Sequence, residues 1–447
     1  MKRTITPVRK VGGTIRVPGD KSIGHRAALF SILAKGPIIV KNFPNGTDCL
    51  TSLEAAKRLG VKVRTEVDGL VLTPPAAVSI EPDSIIDCGN SATTARLLAG
   101  IIAGSNLEIT LTGDESLRSR PMKRIIDPLT EMGAEFFAED GHLPMKIRGK
   151  KLLPYEYDLP VASAQVKTAL LMAGLASSCE VTVREKTVTR NHTEIMLRKI
   201  GGGITIREVK PVRSPDPVDP RKTRLAMPEA FKKEIRISPE AQITGGTIDI
   251  PGDISTGAFF LAAAAISRRT LTVENLGLNP TRTAILDHLK IVGCKVDIRN
   301  RTVISGEPRG RVTITGGSLK PRKISGETTV RLIDEIPIIS VMAAFADGTT
   351  VIRGAGELQF KESNRLAAIS ENLQRTGVKC GLLEDGLAIE GGKELSGADF
   401  QSFGDHRIAM AFSIAALFLV GPSTIDADAV VNVSCPSFYN LLDAISL

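Results

Sequence analysis

Tryptophan is absent, only three tyrosines occur in 447 residues and aromatic residues make up 4%, so the hydrophobic cores must be largely aliphatic. So few aromatic rings also count against a single-strand nucleic-acid binder, which stacks bases on such rings. No apolar run reaches the roughly 18 residues a membrane-spanning helix needs. The longest, Ile408 to Val420, reads as a buried helix. The six cysteines (Cys49, Cys88, Cys179, Cys294, Cys380 and Cys435) include no CxxC pair, and no histidine lies at zinc-ligand spacing from them. They read as reduced thiols of a cytoplasmic protein without a metal site. The basic start MKRTITPVRK has no apolar stretch behind it, so no signal peptide is expected.

What is present describes a globular enzyme-sized chain. Hydrophobic residues make up 42% and charged residues 24%, and the length predicts two large domains. A net charge of +8 favours anionic partners. The basic residues are spread along the chain, which suits small phosphorylated or carboxylated substrates better than nucleic acid.

The chain also repeats itself. GGTIRVPGDKSIGHRAALFSILAKGPIIVKN from Gly12 matches GGTIDIPGDISTGAFFLAAAAISRRTLTVEN from Gly245, an offset of 233 residues (245 less 12). The same offset carries Asn42 onto Asn275, Gly60 onto Gly293 and Lys62 onto Lys295. Two matched halves imply two similar domains. Inside them a unit recurs six times: a polar start, an Ala/Leu-rich helix, a small-residue turn and a β-branched strand. The helices are expected to start near Ser22, Asn90, Ser163, Ser255, Glu335 and His406. They are apolar all round and should be buried. More amphipathic helices follow, from Ser52, Ile125 and Leu366, each closed by a glycine. Helices inside and sheets outside give each half an inverted-barrel character. Residues 236–250 read as the crossover between halves, and the Pro-rich, basic stretch from Ile206 to Arg236 as an insertion or mobile loop.

Unusual polar residues gather where the buried helices begin. A helix N-terminus presents free N–H groups and a positive dipole and so binds anions. In PGDKSIGHRA, Lys21 and Ser22 sit at such a start, and Arg26 follows on the same face. Capping explains Asp20 or Ser22 but not Lys21, because a cation is disfavoured there unless an anion joins it. The second half carries Ile254 and Phe259 at the Lys21 and Arg26 positions, so the fold itself does not need the charges. Asn90, Ser91, Thr93 and Thr94 open the second helix, where simple capping is an equal explanation. GDESLRSRPMKR crowds Arg118, Arg120, Lys123 and Arg124 into a loop around Pro121. Ser163 and Gln165 open the third helix, and Arg190 stands beside a further start at Asn191 or Thr193. The second half supplies Asp334 and Glu335, then Lys361, Glu362 and Arg365, then Asp405, His406 and Arg407. Carboxylates among cations can be plain ion pairs, yet they are also what general acid–base chemistry on an anionic substrate needs.

In order, PGDKSIGHRA, GNSATTARL, LRSRPM, SAQVKTALL, IDEIP, KESNRL and DHRIAM resemble the signature blocks of the 5-enolpyruvylshikimate-3-phosphate synthases, over almost the whole chain. The resemblance implies a two-domain inside-out α/β barrel. Each domain holds three βαβαββ units in pseudo-threefold arrangement, with residues 21–243 inserted between residues 1–20 and 244–447 and the active site in the cleft. It implies transfer of an enolpyruvyl group from phosphoenolpyruvate to the 5-hydroxyl of shikimate 3-phosphate, on the route to chorismate and aromatic amino acids. No metal or organic cofactor, nucleic acid or membrane is involved, and a cytoplasmic monomer is expected. Lys21, Ser22, Arg26, Ser163, Ala164, Gln165, Arg190, Asp334 and Lys361 would bind shikimate 3-phosphate. Lys21, Asn90, Ala92, Arg120, Gln165, Glu362, Arg365 and Arg407 would bind phosphoenolpyruvate. Lys21, Asp334 and Glu362 would be catalytic.

Several positions depart from the common pattern. Ala92 replaces a glycine, SAQ replaces SSQ, and TRNHTE looks like the class II branch, so weak inhibition by glyphosate is expected. Asn364 stands where Asp is more usual, and Val433 falls near the place of a C-terminal lysine. The sister transferase acting on UDP-N-acetylglucosamine usually carries a reactive cysteine in the first-half loop, and GDESLRSRPMKR has none. A non-catalytic anion or nucleic-acid binder would account for the basic balance but not for Asp334 and Glu362 among the cations.

Overall fold

A computed structural model describes all residues except 1, 9, 82, 210–230 and 393. Six helices form its interior: α1 (Lys21–Leu33), α2 (Ala92–Ala103), α3 (Ala164–Ser177), α4 (Ile254–Ser267), α5 (Ile336–Ala344) and α6 (His406–Ala416). Their sequences have no polar face, and every residue of α5 and α6 is buried. Two separate hydrophobic cores result. One joins residues from Ile23 to Ile250, the other Ile5 to Val17 with Ile254 to Ile445.

Sheets wrap these helices. Among the described residues there are six, five of four strands and one of three. The four-stranded sheets share one plan, in which the first strand runs parallel to the second and the last two add antiparallel. Strand Ile38–Lys41 alternates buried and exposed residues, with Ile38 and Val40 facing inward, as a strand with one wet face should.

The internal repeat explains how the halves are joined. Strand Gly13–Arg16 pairs with Leu271–Glu274 of the other half, and Gly246–Asp249 pairs with Ile38–Lys41, the same pairing displaced by the repeat offset. Each half therefore lends its opening strand to the other. The crossover is narrower than the expected 236–250: Lys233–Ile237 and Gly246–Asp249 are both strands of the first half, and the chain crosses after Asp249. There Asp20 N donates to Pro251 O at 2.9 Å and Asp253 N donates to Pro18 O at 2.8 Å. A Cβ at Gly19 would lie 2.1 Å from the Asn42 carbonyl oxygen, so this crossing needs glycine.

Two further expectations change. The flanks of the stretch read as a loop are strands: Ile204–Glu208 pairs antiparallel with Lys233–Ile237, because Ile235 and Ile237 are buried against the first core. Residues 210–230 lie outside the described part. The amphipathic helix expected from Ser52 begins earlier, as Thr47–Arg58, with Asp48 in its first turn where the dipole favours an acid. The closing glycines Gly60, Gly133 and Gly377 all have positive φ.

Candidate active site

One cleft runs between the halves, and the starts of all six interior helices reach it. Its lining includes Lys21 and Ser22 of α1, Ala92 and Thr93 of α2, Ser163 to Gln165 at α3, Asp253 before α4, Ile333 and Asp334 before α5, and Arg407 of α6. Side-chain caps fix five of these ends: Asp20, Ser91, Ser163, Asp253 and Asp405 each accept from a backbone N–H two or three residues on. Such caps are worth about 1 kcal/mol each. Six positive dipole ends thus face one space. Among the described residues, eleven lysine and arginine side chains line it against five aspartates and glutamates, so the cleft is a site for anions.

On the first-half wall, Lys21 Nζ lies 2.8 Å from Asp48 Oδ2. Arg26, buried, donates to Thr193 Oγ1 at 2.8 Å, Thr168 Oγ1 at 2.9 Å and Ser22 O at 2.8 Å. Burial pulls its pKa down to about 10, so it remains charged at neutral pH. Gln165 joins Arg96 to Thr93, at 2.6 and 2.9 Å. Arg120 donates to Asn90 Oδ1 at 2.7 Å and Ser116 Oγ at 3.0 Å. The buried Nε groups of Arg96 and Arg120 have no partner among the described residues.

The second-half wall carries Asp334, Glu357 and Glu362. Arg365, almost wholly buried, donates to Glu362 Oε2 at 2.6 Å and Asp405 Oδ2 at 2.7 Å and lies 3.6 Å from Asp334 Oδ1. Arg407 Nη1 donates to the Asp334 carbonyl at 3.1 Å. Burial by itself raises the Glu362 carboxyl, but Arg365, His406, Arg120 and Lys21 outweigh it and hold it well below the usual range. Asp334 is also lowered: burial opposes this, but Arg190, Arg407, Lys361 and Arg365 together prevail. Burial lowers the Lys361 pKa, with Asp334 acting against it.

Contacts cross the cleft. Arg190 pairs with Asp334, Ser116 Oγ donates to the Glu362 carbonyl at 3.0 Å, and Arg124 meets Glu357 at 3.1 Å. At its floor the buried Arg282 binds Asp20 at 3.0 Å and Ser255 at 2.7 Å, tying the two crossing segments.

The structure brings together Lys21, Ser22, Arg26, Ala92, Arg120, Ser163, Ala164, Gln165, Arg190, Asp334, Lys361, Glu362, Arg365 and Arg407. Asn90 does not line the cleft itself and reaches it through Arg120. Arg118 points away, exposed, to Thr112. The stretch read as a basic loop starts with a helical turn, Glu115–Arg118, capped by Asp114. Asn364 caps the helix Arg365–Arg375 by accepting from Ala367 N at 3.2 Å, a task Asn and Asp perform equally well. Val433 does not line the cleft; its carbonyl packs on Gly46, at the start of the helix that carries Asp48.

Sequence reasoning missed Asp48, Arg96, Arg282 and Glu357. Arg96 had a signal, lying four residues after Ala92 on the same helical face. The other three come from segments whose approach to the cleft only the tertiary fold decides. His406 is buried with neither ring nitrogen partnered among the described residues, and burial holds its pKa well below the usual value.

The comparisons agree with this geometry. The family model described as EPSP synthase (3-phosphoshikimate 1-carboxyvinyltransferase) matches residues 5–221 and 227–442. The 3-phosphoshikimate 1-carboxyvinyltransferase of Desulforamulus reducens is 41% identical over 447 residues, covering 99% of this chain and 99% of its own. That of Anaeromyxobacter sp. strain K is 44% identical over 438 residues, covering 97% and 94%. The solved EPSP synthase of Acinetobacter baumannii superimposes with a TM-score of 0.81 at 35% identity, over 100% of this chain and 98% of that one. The chain belongs to the EPSP synthase family.

Proposed function

We propose that this chain transfers the enolpyruvyl group of phosphoenolpyruvate to the 5-hydroxyl of shikimate 3-phosphate and releases phosphate. The observation that carries this reading is a strongly cationic cleft holding two carboxylates, Asp334 and Glu362, among its guanidinium groups. Each substrate has one phosphate and one carboxylate, so the pair brings roughly five to six negative charges. The cleft's surplus of cations over carboxylates is of the same size. Arginine suits both anions because its planar fork binds them bidentately.

Arg26, Arg190, Ser22, Ser163, Ala164, Gln165 and Lys361 hold shikimate 3-phosphate in this reading. Arg120, Arg365, Arg407 and Lys21 hold phosphoenolpyruvate, with Asn90 orienting Arg120. Asp334 accepts the hydrogen of the 5-hydroxyl as its oxygen adds to C2 of phosphoenolpyruvate, and Glu362 gives a proton to C3. The product of that step is a tetrahedral ketal phosphate. The C2–O bond to phosphate then breaks, C3 returns its proton to Glu362, and the departing phosphate takes up the proton held by Asp334. The ion pairs give the carboxylates their timing. A substrate anion that engages Arg190 competes with Asp334, and one that engages Arg365, Arg120 and Lys21 withdraws the charges that depress Glu362. Glu362 then rises towards the range where it can carry a proton.

Residues 21–243 and residues 1–20 with 244–447 are read as two domains that close on the substrates, the strand Gly246–Asp249 being lent by the second to the first. The two separate cores and the double crossing at Gly19 and Gly252 support this. Both walls come from one chain, which suits a monomer, working in the cytoplasm without cofactor or nucleic acid. No described helix is long and apolar enough to cross a membrane. The deciding assay is phosphate release from phosphoenolpyruvate, expected only when shikimate 3-phosphate is present. Release driven instead by UDP-N-acetylglucosamine would move the reading to the sister transferase, and no release with either acceptor would favour a binding protein.

Ala92, the first residue of α2, supports the class II, glyphosate-tolerant reading, because its methyl narrows the cleft beside the donor. Overfilling a packed site costs about 1–3 kcal/mol. Ala92→Gly is therefore expected to lower the inhibition constant of glyphosate about tenfold or more, with a smaller change in KM for phosphoenolpyruvate. Equal inhibition of both forms would remove Ala92 from this role.

A further inference from the structure

Behind the first-half wall lies a buried charged cluster that does not touch the cleft. Lys167, with no exposed surface, places Nζ 2.6 Å from Glu194 Oε1 and 3.0 Å from Glu185 Oε1. The second oxygens of both glutamates have no partner among the described residues. Core packing alone gives no reason for this cluster, since apolar residues of similar volume are often as stable or more so. Its chain neighbours supply one. Lys167 precedes Thr168 on α3, and Glu194 follows Thr193 at the start of the helix His192–Lys199. The two threonine hydroxyls are 2.6 Å apart and both accept from Arg26. Glu185 accepts from Thr189 Oγ1, and Thr189 adjoins Arg190. Three segments, two holding Arg26 through threonines and one carrying Arg190, are thus fastened at a single ammonium.

We propose that Lys167, Glu185 and Glu194 are positioning residues for the acceptor side of the cleft, setting Arg26 and Arg190 against shikimate 3-phosphate. This rests on the reading of those arginines as acceptor-binding groups. The network acts through them and through the spacing of two helix starts, so it governs the acceptor and not the donor. An ångström of misplacement in such groups is enough to weaken binding or rate.

The test replaces all three together, Lys167→Met with Glu185→Gln and Glu194→Gln, so that no buried charge is left alone. Calorimetric titration with shikimate 3-phosphate is expected to show binding about tenfold weaker, or 1.4 kcal/mol. KM for phosphoenolpyruvate and kcat at saturating acceptor should stay at wild-type values. A cooperatively folded triple variant that binds the acceptor normally overturns the proposal, as does an equal loss for both substrates, which a merely structural role would give. Arg26→Lys separates the parent reading. If it weakens acceptor binding and the triple variant does not, the positioning role alone fails; if it binds as wild type, both fail. Should the triple variant not fold, Thr189→Val decides. It cuts the tie to the Arg190 segment, at a residue that also lines the cleft, and is expected to weaken acceptor binding with KM for phosphoenolpyruvate unchanged, and unaltered acceptor binding overturns the network.

Discussion

Glu362→Gln is expected to lower the rate of phosphate release by roughly 10²–10⁴-fold, the usual loss when a general acid–base group is removed. The substitution keeps shape and one hydrogen-bond acceptor for Arg365, and Arg365 keeps its 2.7 Å bond to Asp405, so the donor site stays assembled. In the proposed reading, what disappears is the group that gives a proton to C3 and takes it back. Binding of shikimate 3-phosphate should change little, because most of its proposed partners, Arg26, Arg190, Ser163 and Gln165, lie on the opposite wall and Lys361 itself is untouched. Binding of phosphoenolpyruvate should hold or tighten, since a carboxylate that competes for Arg365 has become neutral. Transient kinetics with both substrates measures the loss in the chemical step directly. A variant that turns over within a factor of a few of wild type would assign the proton transfer to another group. Loss confined to KM for phosphoenolpyruvate would make Glu362 a positioning group only.

Much of this site could be read from the chain because its features are local. Lys21 stood out against its repeat partner Ile254, a comparison that needs no structure. The interior helices were legible from their unbroken apolar runs, and the closing glycines from the turn they require. The swap of opening strands was not legible, because the alternation of GTIRV and GTIDI fits either sheet and only pairing decides between them. The basic loop around Arg120 looked like one class of residue. Burial separates Arg120, inside, from Arg118, outside, and that depends on packing against Asn90 and Ser116. Asp48 and Glu357 were hidden for a related reason: their value lies in a partner, Lys21 or Arg124, distant in sequence.

Arg365→Ala is expected to damage both folding and donor binding, because one guanidinium serves three carboxylates. It is bonded to Glu362 and Asp405 and lies near Asp334, with almost no exposed surface. Removing one partner of a buried ion pair typically costs about 3–5 kcal/mol, since a charge is left uncompensated. For a domain of this size that is a fall of roughly 10 °C in Tm. KM for phosphoenolpyruvate should rise about 10–100-fold, matching the loss of charged hydrogen bonds. The pH dependence gives a sharper test. In the wild type the Glu362 carboxyl is held well below its unfolded value near 4, so its contribution to stability is complete above that pH and is lost only as pH falls through the folded value. With Arg365 gone, the largest charge holding this carboxyl down, burial is expected to outweigh the remaining Arg120 and Lys21 charges, His406 being held neutral by its own burial, and the folded pKa to move above the unfolded one. Protonation then favours the folded state, so stability rises as pH falls from 7 to 5. Thermal unfolding at the two pH values should therefore show the gap between variant and wild type narrowing at pH 5. A gap that is constant or widens would mean that Glu362 is not held down by Arg365, and the timing given to the proton transfer would lose its basis.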